Sequence, residues 1–290
     1  MKRSVGRMFI NGFIKSVFIV AFLSIAGVVG YQATMHFWQI PGENNAVVAY
    51  KEQPEAGNNE DIGNNIDTGS ITEASVDDIS KNLIFSYDEK TNEINKLVLE
   101  IFHCKNKKLT YITIPLRTQL TMSDSLYRKL ILIHAEIPQM MKLSSISKYF
   151  DEETIFPYSV LMIEDLLDID ISYYTALPKS TYDTIFTEKK APQKDKENDA
   201  SIPVESFTDE YIEFIKTLDT EDKISDYIEE IYPTVQSNLD LSQKMNYLES
   251  YHETPISSIS FELIKGNDRN SAYEIDSDLA ARQLGGLLQE

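Results

Sequence analysis

The sequence predicts an α/β domain, layered α-β-α around a mixed central sheet and preceded by one transmembrane helix. Three observations predict it. An apolar run from Phe13 to Tyr31 holds a single charge, Lys15. Short period-two segments lie at 82–86, 97–102, 109–114 and 259–264. Among and after them run stripes of apolar residues at helical spacing, and strands mixed with helices in this way suggest a sheet covered on both sides. With 290 residues, 42% of them hydrophobic, the chain has room for a membrane segment and one domain of ordinary size.

The run from Phe13 can span a bilayer, with Lys15 close enough to its start for the long side chain to reach the interface. Lys2, Arg3, Arg7 and Lys15 precede or open it and no basic residue follows until Lys51, an asymmetry that places the N-terminus in the cytoplasm and the rest outside. Residues 1–12 are then cytoplasmic and 13–35 the anchor of a single-pass cell-membrane protein, with Tyr31 and Trp38 suited to the outer interface. A cleaved signal peptide is the alternative, since Val28, Val29 and Gly30 offer small residues, although its apolar core usually has only about 7 to 15 residues. Asn, Gly, Glu and Asp dominate the next stretch, so 36–80 reads as a flexible extracytoplasmic tether. The domain proper occupies 81–290. Inside it, 188–206 carries four lysines among Asp, Glu and Pro and reads as a flexible solvated loop. Cys104 stands alone, so no intrachain disulfide supports the fold.

Within the domain Asn82 to Ser86 is the first strand. Leu97, Leu99 and Ile101 alternate with Val98, Glu100 and Phe102 in the second, and Leu109 to Ile114 make the third, ended by Pro115. Cys104 to Lys108, polar and charged, suits the turn between the last two. Ser123 caps a helix bearing Leu126, Leu130 and Ile133, and another runs from Tyr158 to Leu167 before a strand from Ile171 to Leu177. Three amphipathic helices follow, with stripes Phe207/Tyr211/Phe214/Leu218, Ile224/Tyr227/Ile228/Ile231 and Leu241/Met245/Leu248, the last capped by Asp240. A strand from Ile259 to Ile264 and a helix opened by Ser277 complete the domain.

Charge excludes one class of partner. Of 27 basic and 46 acidic residues, four basic ones belong to the anchor region, so 23 against 46 leave −23 on the remainder. Such a surface repels phosphate backbones, and no run of Lys or Arg interleaved with aromatics offers an exception; nucleic-acid binding is excluded as a main function.

The run Leu161 to Tyr174 (LMIEDLLDIDISYY) resembles the signature stretch of the LytR-CpsA-Psr family, membrane-anchored extracytoplasmic enzymes that move lipid-linked glycopolymers onto peptidoglycan. Lys107 to Thr118 (KKLTYITIPLRT) is similar to the family strand ending in Ile-Pro-Arg-Asp-Thr, and Thr234 to Leu241 (TVQSNLDL) to its Val-x-Thr-Asn-Leu-Ser segment. The likeness runs in order from about Asn82 to the C-terminus. It implies that family's fold, a cell-envelope role, and a polyprenyl lipid or cell-wall proteins as partners.

The residues that would carry the family's chemistry differ. Transfer of a pyrophosphate-linked polymer needs cations around two phosphates, which the family supplies with several arginines and a Mg²⁺ held by aspartates. Asn92 to Asn95 stand where the family has Arg-Ser-Asp-Thr, and Ile114-Pro-Leu-Arg117 displaces the Ile-Pro-Arg arginine by one residue. Lys179 to Phe207 contain no arginine, and the following helix opens with Asp209 and Glu210. Mg²⁺ belongs here only if the family site is retained.

Each candidate site residue has two readings. Arg117, just past a strand end, is an anion ligand or an ordinary surface cation. Arg128 and Lys129 reach an anion or form the solvated face of their helix. Asp88 holds a metal or shapes a turn. Glu164, Asp165, Asp168 and Asp170 look like a metal cluster but lack the Gly and closing Glu of a calcium loop. The four histidines are scattered, with no zinc spacing and no Cys/His dyad. Met140, Met141 and Phe156 line a lipid-accepting cavity or simply pack the core.

The reading that follows is a noncatalytic envelope protein, a relative or partner of glycopolymer-attaching enzymes with no catalytic residue assigned. Its alternatives are a Mg²⁺-dependent phosphotransferase with a rearranged cation set, acting on polyprenyl-pyrophosphate-linked glycans, and an acidic ectodomain that binds a basic protein. Removing one donor from a preorganised anion site commonly costs about 3 to 4 kcal/mol in the transition state, which counts against the phosphotransferase.

Overall fold

In a computed structural model of the protein, residues 74–190, 202–269 and 271–289 are described. The expected anchor, almost all of the tether and the middle of the 188–206 stretch lie outside these residues. Among the described residues no helix is long and apolar enough to cross a membrane.

Two hairpins start the sheet. Strand β1 (Ile79–Tyr87) pairs antiparallel with β2 (Ile94–His103), and β2 pairs likewise with β3 (Lys108–Thr113). Their turns each contain one left-handed residue, Asn92 at φ 55° and Lys107 at φ 52°. Short β4 (Gln119–Thr121) then precedes α1 (Asp124–Ile133), capped by the Ser123 hydroxyl as expected. After β5 (Met140–Lys142), α2 (Ile155–Leu167) crosses over so that β6 (Tyr173–Pro178) lies parallel to β1. This is the connection that a parallel pair requires.

The chain continues through α3 (Lys179–Ile185), β7 (Phe186–Lys190), β8 (Pro203–Phe207), α4 (Asp209–Ile215) and α5 (Glu221–Ile231). It then forms β9 (Gln236–Ser237), α6 (Leu241–Met245), α7 (Leu248–Glu253) and β10 (Ile259–Leu263). The hairpin of β11 (Gly266–Arg269) and β12 (Ala272–Ile275) and the last helix α8 (Ser277–Gln289) close it. The main sheet has six strands in the order β10-β3-β2-β1-β6-β9, parallel at β10/β3 and β1/β6 and antiparallel elsewhere. The strand expected at 259–264 therefore joins the same sheet as those at 97–102 and 109–114.

Each face has its own core. Leu83, Phe85, Leu99 and Ile112 belong with Phe156 and Ile163 of α2 and Leu284 of α8 in one cluster. On the other face Ile84, Val98, Phe102 and Tyr111 belong with Tyr182, Phe207 and Tyr247. Burial on both sides explains why β2 reads as almost uninterrupted apolar sequence.

Three expectations need correction. The 188–206 stretch is not wholly a loop, because β7 and β8 pair across it from Phe186↔Phe207 to Lys190↔Pro203. Phe207 accordingly ends a strand instead of opening a helical stripe. The Leu241/Met245/Leu248 stripe is split between two short helices, and the break at Asn246–Tyr247 accompanies the burial of Tyr247 in the second core.

Candidate functional site

The residues singled out by sequence do not converge. Arg117 is held by Asp268 of β11: Nη1 and Nη2 both donate to the carboxylate, the second at 2.6 Å. Its own carbonyl accepts the N–H of Tyr273 at 3.1 Å, so it latches the C-terminal hairpin to the turn after β3. The hydrogen bond from Arg117 lowers the Asp268 pKa, as expected of a carboxylate engaged from within the chain. Arg128 and Lys129 are exposed on α1. Asp88 shapes the β1–β2 turn, its Oδ1 accepting from the backbone N–H of Lys90 at 2.8 Å and of Thr91 at 3.1 Å.

The acids of the Leu161–Tyr174 run also have separate local duties. Glu164 accepts the N–H of Ile171 and Asp165 that of Ser123, each at 2.8 Å, and Asp168 ends α2 in the left-handed conformation. Among the described residues no three His, Cys, Asp or Glu side chains gather so as to hold a metal ion, and Oδ1 of Asp88 is already engaged by two backbone N–H groups of its own turn. Met141 and Phe156 are buried in the first core, whereas Met140 is 57% exposed.

A cavity of about 290 Å³ lies instead against the second face of the sheet. Leu109, Tyr111 and Leu177 contribute to its walls from the sheet, and Tyr211, Ile224 and Ile228 from α4 and α5. Caps fix those helices locally: the Thr208 hydroxyl accepts from the N–H of Tyr211 at 3.0 Å, and that of Thr220 from Lys223 at 3.4 Å.

Polar groups are placed inside this apolar shell. Glu100 and Asn82 point from the middle of β2 and β1 and are 5% and 3% exposed. Asn82 Nδ2 donates to Glu100 Oε1 at 3.4 Å, while its Oδ1 accepts from the Thr175 hydroxyl at 3.1 Å. Lys244 of α6 also lines the cavity. Its ammonium donates to the hydroxyls of Tyr173 and Tyr251, both at 2.8 Å, and lies 5.1, 5.9 and 4.8 Å from the ring centres of Tyr173, Tyr247 and Tyr251. The residue as a whole is half-buried, with its ammonium set among the three tyrosines. Burial pushes its pKa down, opposed in part by the charge of Glu100.

None of these polar residues was picked out from the sequence, although a signal existed for each. Glu100 interrupts an apolar strand buried on both faces, so it has no solvated side to occupy. Lys244, Tyr247 and Tyr251 fall at helical spacing in the sequence, although the chain breaks between α6 and α7 at Asn246–Tyr247. At the neighbouring edge Lys96 is bound by two acids, Glu205 at 2.9 Å and Glu188, and Glu205 is buried. Acidic groups thus supply the partners for a cation in the stretch where the resemblance leads one to expect arginines.

No family model matches the chain, and no curated protein does. Solved structures do match. Bacillus subtilis TagV is 14% identical over 73% of this chain and 96% of its own, with a TM-score of 0.48. TagT from the same organism gives 11% identity, 76% and 95% coverage and a TM-score of 0.44. A LytR-CPS2A-psr family protein, YwtF (TagT) with bound octaprenyl pyrophosphate lipid, gives 12%, 76%, 94% and 0.44. The structures matched thus include a LytR-CPS2A-psr family protein. At identities of 11 to 14% and TM-scores of 0.44 to 0.48 this is a likeness and assigns the chain no role. The segments through which the sequence resembles LytR-CpsA-Psr proteins form the end of α2 with β6, β3 with its following turn, and β9 with the start of α6.

Proposed function

We propose that this protein is a membrane-anchored, extracytoplasmic component of the cell envelope that binds a ligand with an apolar body and transfers no glycopolymer. The observation that carries the reading is the wall of the cavity: it is apolar over most of its extent, and among the described residues its ionisable side chains besides the tyrosines are Lys244, Glu100 and His252, with no arginine. Arg117, Arg128 and Lys129 do not line it. A pyrophosphate would meet a single ammonium there and a carboxylate beside it, whereas phosphoryl transfer calls for several preorganised cations. The family resemblance of the sequence supports the envelope setting, and the charge asymmetry about Phe13 to Tyr31 supports the anchor.

A transfer assay tests the catalytic half of this reading. The full chain, given a lipid-pyrophosphate-linked glycan and peptidoglycan, is expected to yield no product with or without Mg²⁺, and Arg117→Ala changes nothing. Robust Mg²⁺-dependent transfer abolished by Arg117→Ala would overturn it in favour of a phosphotransferase. Saturable binding of a medium-chain amphiphile such as decanol or decanoate tests the other half, and the absence of binding by any of them removes the cavity as the site.

A further inference from the structure

The cavity is not built for a purely hydrocarbon occupant. Isolated buried ions are costly unless paired and hydrogen-bonded. Yet the ammonium of Lys244 meets two neutral tyrosine hydroxyls and three aromatic faces, with no carboxylate bonded to it. Glu100 acts on it through charge without being its hydrogen-bond partner. An ammonium has three donors, and the tyrosines take two. Glu100 itself has only the long contact from Asn82 and the neighbouring Tyr111 hydroxyl to offset its burial. A carboxylate and an ammonium therefore face one small space without neutralising each other directly, while Ile215, Leu218, Ile224, Ile228 and Ile231 supply the apolar remainder.

The geometry points to a compact amphiphile that enters polar end first: its anionic group bonds Lys244, a hydrogen-bond donor beside that group reaches Glu100 and Asn82, and its short apolar tail lies against α4 and α5. The volume agrees in scale, since about 290 Å³ is at the lower end of small-molecule sites, which span roughly 300 to 1,000 Å³. Hydroxy- or amino-carboxylates with a medium-length chain have this chemistry. The inference rests on the ligand-binding reading above and specifies the class of ligand.

Calorimetric titration of the full chain in amphipol with decanol, decanoate and α-hydroxydecanoate separates the two claims. Decanoate is expected to bind about tenfold tighter than decanol, and α-hydroxydecanoate tighter again, in line with hydrogen bonds to charged groups. Lys244→Met should bring both acids down to the level of the alcohol and leave the alcohol within about twofold, because the methionine keeps the apolar stem. Glu100→Gln should abolish the increment from the hydroxyl and leave decanoate at least as tight. Equal binding of decanol and the acids by the unmodified protein overturns the polar-end-first proposal while leaving an apolar ligand site standing. This comparison needs no variant to fold. Saturation by none of the three overturns both.

Discussion

Gly266 stands where no side chain fits. A Cβ built there would lie 2.8 Å from Cε1 of Tyr273 and 2.9 Å from Cα of Ile275, and backbone atoms of a paired strand cannot easily give way. Gly266→Ala should therefore lower stability by about 1 to 3 kcal/mol, read as a drop in the urea midpoint with the slope unchanged. The same hairpin holds Asp268, whose pKa lies below its ordinary 3.8 because Arg117 donates to it. A carboxylate with a depressed folded pKa contributes stability above the unfolded value and loses it as pH falls towards the folded one. Asp268→Asn should thus cost up to about 1 kcal/mol at neutral pH, since the pair is partly exposed, and flatten the acid limb of the stability profile below pH 3.8. An unchanged acid limb would remove the latch from the account of Arg117.

The helices over the cavity depend on their caps more than on their length. Helix α4 is only seven residues long, and the Thr208 hydroxyl both accepts from Tyr211 and donates to the carbonyl of Thr184 at 2.8 Å, joining α4 to α3. Thr208→Val should cost about 1 kcal/mol of stability and weaken ligand binding at the cavity, since Tyr211 and Ile215 lose their fixed approach. Elements with a strong period were legible from sequence: β1, β2, β3, β6 and β10 through alternation or apolar runs, α1 through Ser123, α5 through its stripe. The pieces missed are short or polar. Strands β4, β5, β9, β11 and β12 have two to four residues each, too few for a period to declare itself. The β7–β8 hairpin was hidden because Glu188, Lys189 and Glu205 read as solvated, whereas Lys96 pairs with both glutamates. The cavity was hidden for a related reason: its distinctive groups are ions that ordinarily mark a surface, and the sequence hints at Glu100 and Lys244 do not reveal that the two share one space.

At the scale of the whole chain, the proposed orientation rests on Lys2, Arg3, Arg7 and Lys15, which precede or open the apolar run while no Lys or Arg follows until Lys51. Protease added to intact cells should remove the domain beyond Trp38, and protection from protease would contradict the proposed orientation. Sheet order bears on the molecule in a different way, through the sequence in which its parts come into being. A chain lengthening from its N-terminus completes β1, β2 and β3 early, because short turns join them. The outer flank of β3, however, is covered only by β10, where Leu109 meets Ile259 and Thr113 meets Leu263. Until that late segment exists, a row of backbone donors and acceptors beside Leu-Thr-Tyr-Ile-Thr stays open to any other strand. The newborn chain thus keeps that edge open to wrong partners from the completion of β3 until Ile259 to Leu263 are made, and a transcript cut short before Ile259 would leave its product with the edge unguarded for good.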